Sequence, residues 1–369
     1  MRHRPPVRLA ALAALIAATG GCREKSAPER AQEAIAAIEG MDAIPASADV
    51  VLGAEVGPLS RSLLVERAVA RMLDADPGLR GELEGLFAGC GFDPVGDLTT
   101  VLVAMDNPPD SPPGSSDRAL LVASGRLSEA KLASCVGQHM TRLGGQLVPK
   151  AVGGRVHYHA DAPAGRVDVW FAFGSTKTVV ASSSPEMLAE SLGDGPRLAA
   201  DSQMAELVHR ARVGGAALWV AGRLPPEVGK GLVAATGGQV GAPRAIFGHL
   251  AAETGLTVVV GAEMASPDEA KSAVSLANAQ LRLLTQVAQK WRLGRAVARI
   301  TTEAEGPTVW IRLVLTDDEL RVALAPVDTD AGPEQNPAPT EEDQGDQHHG
   351  QGDAAPGGQA PLRKQGQAD

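Results

Sequence analysis

Three alternating side chains have the widest chemical scope in this chain: His157, His159 and Asp161, in the run His157-Tyr158-His159-Ala160-Asp161. Alternate residues of a strand share one face, and two imidazoles with a carboxylate are donors that zinc accepts. A metal site also needs a further ligand and a fixed geometry, and no other residue is marked for that role by its spacing. Imidazoles on a polar sheet face are therefore the expectation, with His157, His159 and Asp161 kept as the metal candidates. His139, His209 and His249 have no carboxylate or nucleophile at a suggestive spacing and read as helix-surface residues. His348 and His349 lie near Asp346, in a stretch too polar to hold a metal geometry. The chain lacks the G-x-S-x-G elbow and the H-E-x-x-H helix. Gly229-Lys230-Gly231 lacks the hydroxyl that a phosphate loop places on magnesium, and Gly237-Gly238-Gln239-Val240-Gly241 reads as a plain loop.

Ser128-Glu129-Ala130-Lys131 resembles the S-x-x-K motif of penicillin-binding enzymes, in which a helix-borne serine is activated by a lysine one turn away. The resemblance covers four residues. The strand that should complete such a site is not matched, because Lys177-Thr178 is followed by Val179 rather than glycine. A helix cap explains Ser128 more simply, and no catalytic residue is assigned.

The elements that would position these groups alternate between strand and helix. Strands are predicted at 50–56, 98–105 and 118–124, and helices at 58–74, 77–90 and 129–143. Several short strands follow, turning at Gly153-Gly154, Pro163-Ala164-Gly165 and Gly174-Ser175, with Val167, Val169, Phe171 and Phe173 alternating along the clearest. A capped helix runs from Ser184-Pro185 to Leu192. The second half repeats the order: a strand at 216–221, a helix after Pro225-Pro226, a strand at 256–260, a long helix at 267–291, strands at 296–304 and 308–315, and a closing helix from Thr316. Both halves place Glu-Ala-Lys in the first turn of a helix, at Glu129-Ala130-Lys131 and Glu269-Ala270-Lys271. The expected fold class is α+β: two related subdomains of largely antiparallel sheet with helices on one face, an internal duplication suggested by the shared order, and a disordered C-terminal tail.

The N-terminus carries Arg2, Arg4 and Arg8, then the apolar run from Leu9 to Ala18, then Thr19-Gly20-Gly21-Cys22. The run is too short to span a bilayer and has the build of an export signal. Residues 1–22 resemble the signal of bacterial lipoproteins, with small residues before the cysteine, although Thr19 stands where that class usually carries leucine. The resemblance implies cleavage before Cys22, lipidation of its sulfur, acylation by a palmitate-type chain and membrane attachment through that residue. Arg23 rather than aspartate after the cysteine implies retention in the outer membrane, with the body facing the periplasm or the cell surface. Export places Cys90 and Cys135, both on the apolar stripes of predicted helices, in an oxidising compartment. A disulfide between them is expected, with two buried thiols as the alternative.

The expected divisions are therefore a signal at 1–21, a tether at 22–44 with a short helix capped by Ser26 and Glu29 over about 28–39, subdomains at 45–200 and 201–327, and a tail at 328–369. The formal charge of −10 is concentrated at the end, since residues 327–369 hold nine acids against Arg363 and Lys364. Those residues have almost no large aliphatic side chains and cannot bury enough surface to offset ordering. With no basic stripe and only 3% aromatic residues, nucleic-acid binding is not expected. The sequence points to a membrane-anchored, non-catalytic binding or assembly protein with no cofactor and with an envelope protein as partner. The alternatives are a hydrolase or metal enzyme without a recognisable motif, and a carrier of an apolar ligand.

Overall fold

Strand residues alternate between the two faces of a sheet, and in the run Ala119-Leu120-Leu121-Val122-Ala123 every residue is buried. Such a strand must be covered on both sides, and the chain builds around it accordingly. The computed structural model describes residues 36–324, except 77, 79, 82–89, 91–92, 107–117, 164–166, 214 and 289–293. The export signal, Cys22, the Ser26/Glu29 cap, His348, His349 and the acidic tail lie outside the described residues, as does most of the helix expected at 77–90.

The described strands are β1 (Val50–Glu55), β2 (Leu98–Asp106), β3 (Arg118–Gly125), β4 (Gln146–Val152), β5 (Arg155–Ala162), β6 (Val167–Ser175), β7 (Thr178–Ser182), β8 (Leu218–Arg223), β9 (Ala245–Ala251), β10 (Leu256–Glu263), β11 (Thr301–Glu305) and β12 (Thr308–Leu315). They form one sheet in the order β11-β12-β10-β9-β8-β1-β2-β3-β7-β6-β5-β4, with every neighbouring pair antiparallel. The main helices are α1 (Leu63–Ala75), α2 (Glu129–Arg142), α3 (Pro185–Leu192), α4 (Ser202–Ala211), α5 (Pro226–Ala235), α6 (Pro267–Ala288) and α7 (Asp317–Leu324). The fold class is α+β.

The two halves meet where β1 pairs with β8, so the expected boundary near residue 200 is crossed by one continuous sheet. Outward from that seam, β1-β2-β3-β7-β6 on one side matches β8-β9-β10-β12-β11 on the other. In each half a helix follows the third strand, α2 or α6, and a later hairpin, β6–β7 or β11–β12, brings its second strand back to pair with that third strand. The first half adds a further hairpin, β4–β5, at its edge. The Glu-Ala-Lys triplets are offset by two residues relative to the helix starts: Glu129 opens α2, whereas α6 opens at Pro267. It is therefore the order of strands, more than the triplet, that carries the likeness of the halves.

Helices cover both faces rather than one. Leu120 and Val122 pack with Met187 and Leu188 of α3 and with Met204, Leu207 and Val208 of α4, around Trp219 and Phe247. Leu121 and Ala123 point the other way, into a cluster with Leu132, Cys135, Val136 and Met140 of α2 and with Phe171 and Phe173. Ala270 of α6 packs on Val309, partnered across the ladder by Ala262, on the same side of the sheet as α2.

Local outcomes differ from the sequence expectation, and the helix expected at 58–74 is broken between Ser60 and Leu63. Residues 36–39 are not helical: Glu39 is extended, and Gly40 opens the 3-10 turn Gly40–Ala43 instead of closing a helix. The cause is docking, since the Ile38 N–H donates to the Gly174 carbonyl at 3.1 Å. Likewise the stretch expected as strand at 296–304 begins as the helical turn Gly294–Val297, and β11 starts only at Thr301.

Candidate functional site

His157, His159 and Asp161 do share one face of β5, as their partners Ala172, Trp170 and Asp168 on β6 show. They are not gathered into a metal site, because their surroundings engage them separately. His157 is buried, and its pKa is lowered by that burial and then by the Arg155 and Lys150 charges. His159 is committed elsewhere. Its ring lies on Trp170 with centroids 3.9 Å apart and planes 8° apart, and its Nε2 meets Asp168 Oδ1 at 2.9 Å. Among the described residues no cluster of three or more His, Cys, Asp and Glu is arranged to hold a metal ion.

Ser128 occupies the N-cap position of α2, but its hydroxyl makes no cap hydrogen bond. The carboxylate beside it is engaged: Tyr158 on β5 donates to Glu129 Oε1 at 3.0 Å while stacking on Phe171. Burial, then the Glu129 charge and the hydrogen bond to it, hold the Tyr158 hydroxyl well above its ordinary pKa, so it stays protonated. In α6 the capping is done by Ser266, whose hydroxyl accepts from the Glu269 N–H at 3.2 Å, whereas Asp268 is an exposed partner of Lys271. His249 is on strand β9 rather than on a helix surface. It is half-buried, with a pKa lowered by burial against the opposing effect of a hydrogen bond with the Ala211 backbone.

Cys90 and Cys135 are joined as a disulfide with their Cα atoms 5.3 Å apart, inside the usual range for such a bridge. Cys135 is buried on α2, and both residues belong to the cluster beneath it.

Sequence reading missed the group that fixes where the N-terminal segment joins the body. Arg155 is only 4% exposed, yet it is charged and donates to three carbonyls: Phe173 at 3.1 Å, Gly174 at 2.8 Å and Ala36 at 2.6 Å. A buried guanidinium is tolerated only when its N–H groups are satisfied, and here it stitches Ala36–Ile38 to the end of β6. Gly174 permits the approach, since a Cβ there would sit closer than 3.0 Å to the Ile38 carbonyl. Beyond it, the Ala46 N–H donates to Pro196 and the Leu198 N–H to Ile44, so the entering chain is held at several points. The signal available in sequence was an arginine directly after the Gly153-Gly154 turn, opening a β-forming run.

No protein-family model matches the chain, and comparison with curated protein sequences finds no relative. Two solved structures of a protein named TP0453, its crystal forms III and I, overlay on it with TM-scores of 0.43 and 0.40 at 13% identity. Each overlay covers 78% of this chain, and 98% and 97% of the respective neighbour. A likeness at that level assigns neither family nor activity.

Proposed function

We propose that the chain is a lipid-anchored protein of the bacterial cell envelope whose α+β body works by binding, with Cys22 as the attachment point. The observation that carries this reading is the N-terminal run itself: Arg2, Arg4 and Arg8, a short apolar stretch, and Gly20-Gly21-Cys22. Two features of the body agree with it. The Cys90–Cys135 pairing suits an oxidising compartment. The Arg155 clamp fixes where the segment from Ala36 joins the body. Arg23 favours the outer membrane. The mechanism is contact: the anchor confines the body near the bilayer, which raises its local concentration against envelope partners without any covalent step.

The test is metabolic labelling with a tagged fatty acid, followed by membrane fractionation. Wild-type protein should carry label and sediment with membranes, and Cys22→Ala should lose both. Unlabelled wild-type protein, or a labelled and membrane-bound Cys22→Ala, would show that the anchor is elsewhere or absent. The contact mechanism is tested in a deletion strain, where Ser128→Ala and His159→Ala should both restore the phenotype fully. Failure of either variant, at normal abundance, would return the enzyme reading to the front.

A further inference from the structure

A cleft of about 740 Å3 opens at the end of β2, β3 and β7, beside the 3-10 turn Gly40–Ala43. Its size is that of a small-molecule site. Its lining combines Glu39, Thr99, Ser124, Arg126, Lys177 and Thr178. The backbone explains why these groups are held together. β2 carries a register shift between Leu98 and Thr100, and Gly125 lies so close to Asp97 that a Cβ would come within 3.0 Å of its carbonyl. Lys177 sits in the tight turn between β6 and β7, where its N–H donates to Ser175 Oγ at 3.1 Å and its carbonyl accepts from Gly125 at 2.9 Å.

The cleft has spare hydrogen-bond donors. Lys177 has no ion-pair partner among the described residues. Arg126 uses one terminal nitrogen for Gly96 O at 2.7 Å and Asp97 Oδ1 at 3.0 Å, and its other N–H groups have no partner among the described residues. Ser124 Oγ and Thr178 Oγ1 are 3.1 Å apart and share one hydrogen bond, so one of the two O–H protons is left without an acceptor there. The one acid on the rim, Glu39, is also without an ion-pair partner among the described residues.

The geometry points to a binding site for a small soluble molecule bearing an oxyanion, either carboxylate or phosphate. Lys177 takes the anionic group, with the remaining N–H groups of Arg126, itself ion-paired with Asp97, beside it; the Ser124–Thr178 pair donates its spare proton, and the Glu39 charge opposes the anion. This assigns a ligand class to the binding body proposed above. It stands or falls separately from the anchor, because a failed titration leaves the labelling result untouched.

Isothermal titration of the full chain in detergent, at constant ionic strength, with inorganic phosphate and with citrate as the probes, tests the site. At least one probe should saturate, and which one does identifies the oxyanion. Lys177→Met should weaken binding about tenfold, the scale of losing a charged hydrogen bond. Glu39→Gln should tighten it by roughly threefold, the scale of one exposed charge pair, a direction no merely structural role predicts. Thr178→Val, with an unchanged melting temperature, should weaken it, and Lys150→Ala on the distant strand β4 should have no effect. Saturation by neither probe overturns the proposal. So does binding that is unaffected by Lys177→Met, or weakened by Glu39→Gln.

Discussion

Gly53 on β1 faces Trp219 on β8 across the seam that joins the two halves, and the indole lies against the glycine. A Cβ at Gly53 would come within 3.0 Å of three ring atoms, so the Gly53→Ala variant must displace the ring or part the strands. Trp219 is 1% exposed and packed in the main core, so moving the ring disturbs its neighbours. Overpacking of this kind costs about 1–3 kcal/mol. Against that, alanine recovers roughly 0.5–1 kcal/mol of the backbone entropy that glycine loses in a strand. The net expectation is a loss of about 1–2 kcal/mol, or several degrees in melting temperature. The sign should invert once the ring is gone. Trp219→Leu alone should cost several kcal/mol as a core truncation, but in that background Gly53→Ala should be neutral or stabilising by roughly 0.5 kcal/mol. The same design recurs at Gly261 under Phe247, which provides an independent second cycle. Urea denaturation of the four proteins in each cycle measures the coupling. If Gly53→Ala is as stable as wild type, or its effect adds simply to that of Trp219→Leu, the seam is not packed as described.

The remaining expectations concern the bridge and the histidines. The Cys90–Cys135 disulfide closes a 45-residue separation, so Cys135→Ser should lower stability by about 4 kcal/mol in the chain-entropy model. Alkylation of the unfolded, unreduced wild type should leave both residues unlabelled, and labelling of both would rule the bridge out. His157 and His249 both have folded pKa values below the ordinary 6.5, chiefly through burial. The unfolded chain therefore takes up protons first, and stability should be full above about pH 6.5 and fall as pH drops below it. Denaturation measured between pH 7.5 and about 5, above the ordinary carboxylate range, should show this slope, and His157→Gln should flatten it. A slope of opposite sign would contradict the buried, neutral imidazole.

The strands of this fold were legible where a strand shows a face or a run. The expectation for 308–315 coincides with β12, and that for 98–105 falls one residue short of β2, because alternation and β-branched composition are local properties. Helix α4 was legible and overlooked: Asp201 accepts from the Gln203 and Met204 N–H groups, and Met204, Leu207, Val208 and Ala211 follow at helical spacing. Strand β9 was obscured by Gly248, which must be glycine because a Cβ would come within 3.0 Å of the Val259 carbonyl. The pairing of β1 with β8 is of another kind, since it joins Val51 to Ala221 and no local pattern encodes a partner that distant.

The same division holds for the sites. His157, His159 and Asp161 were correctly read as sharing a face, but His157 is buried and His159 is engaged by Trp170 and Asp168. The contacts that do gather groups here join elements distant in sequence. Arg155 reaches Ala36 across the fold, and the donor-rich cleft gathers Glu39, Ser124 and Lys177 from three separate segments, none of which carries a motif by itself. In this chain, the chemistry most open to a ligand is produced by topology, at the place where the close approach of Gly125 to Asp97 and the turn before β7 leave strand ends and their polar side chains facing a common space.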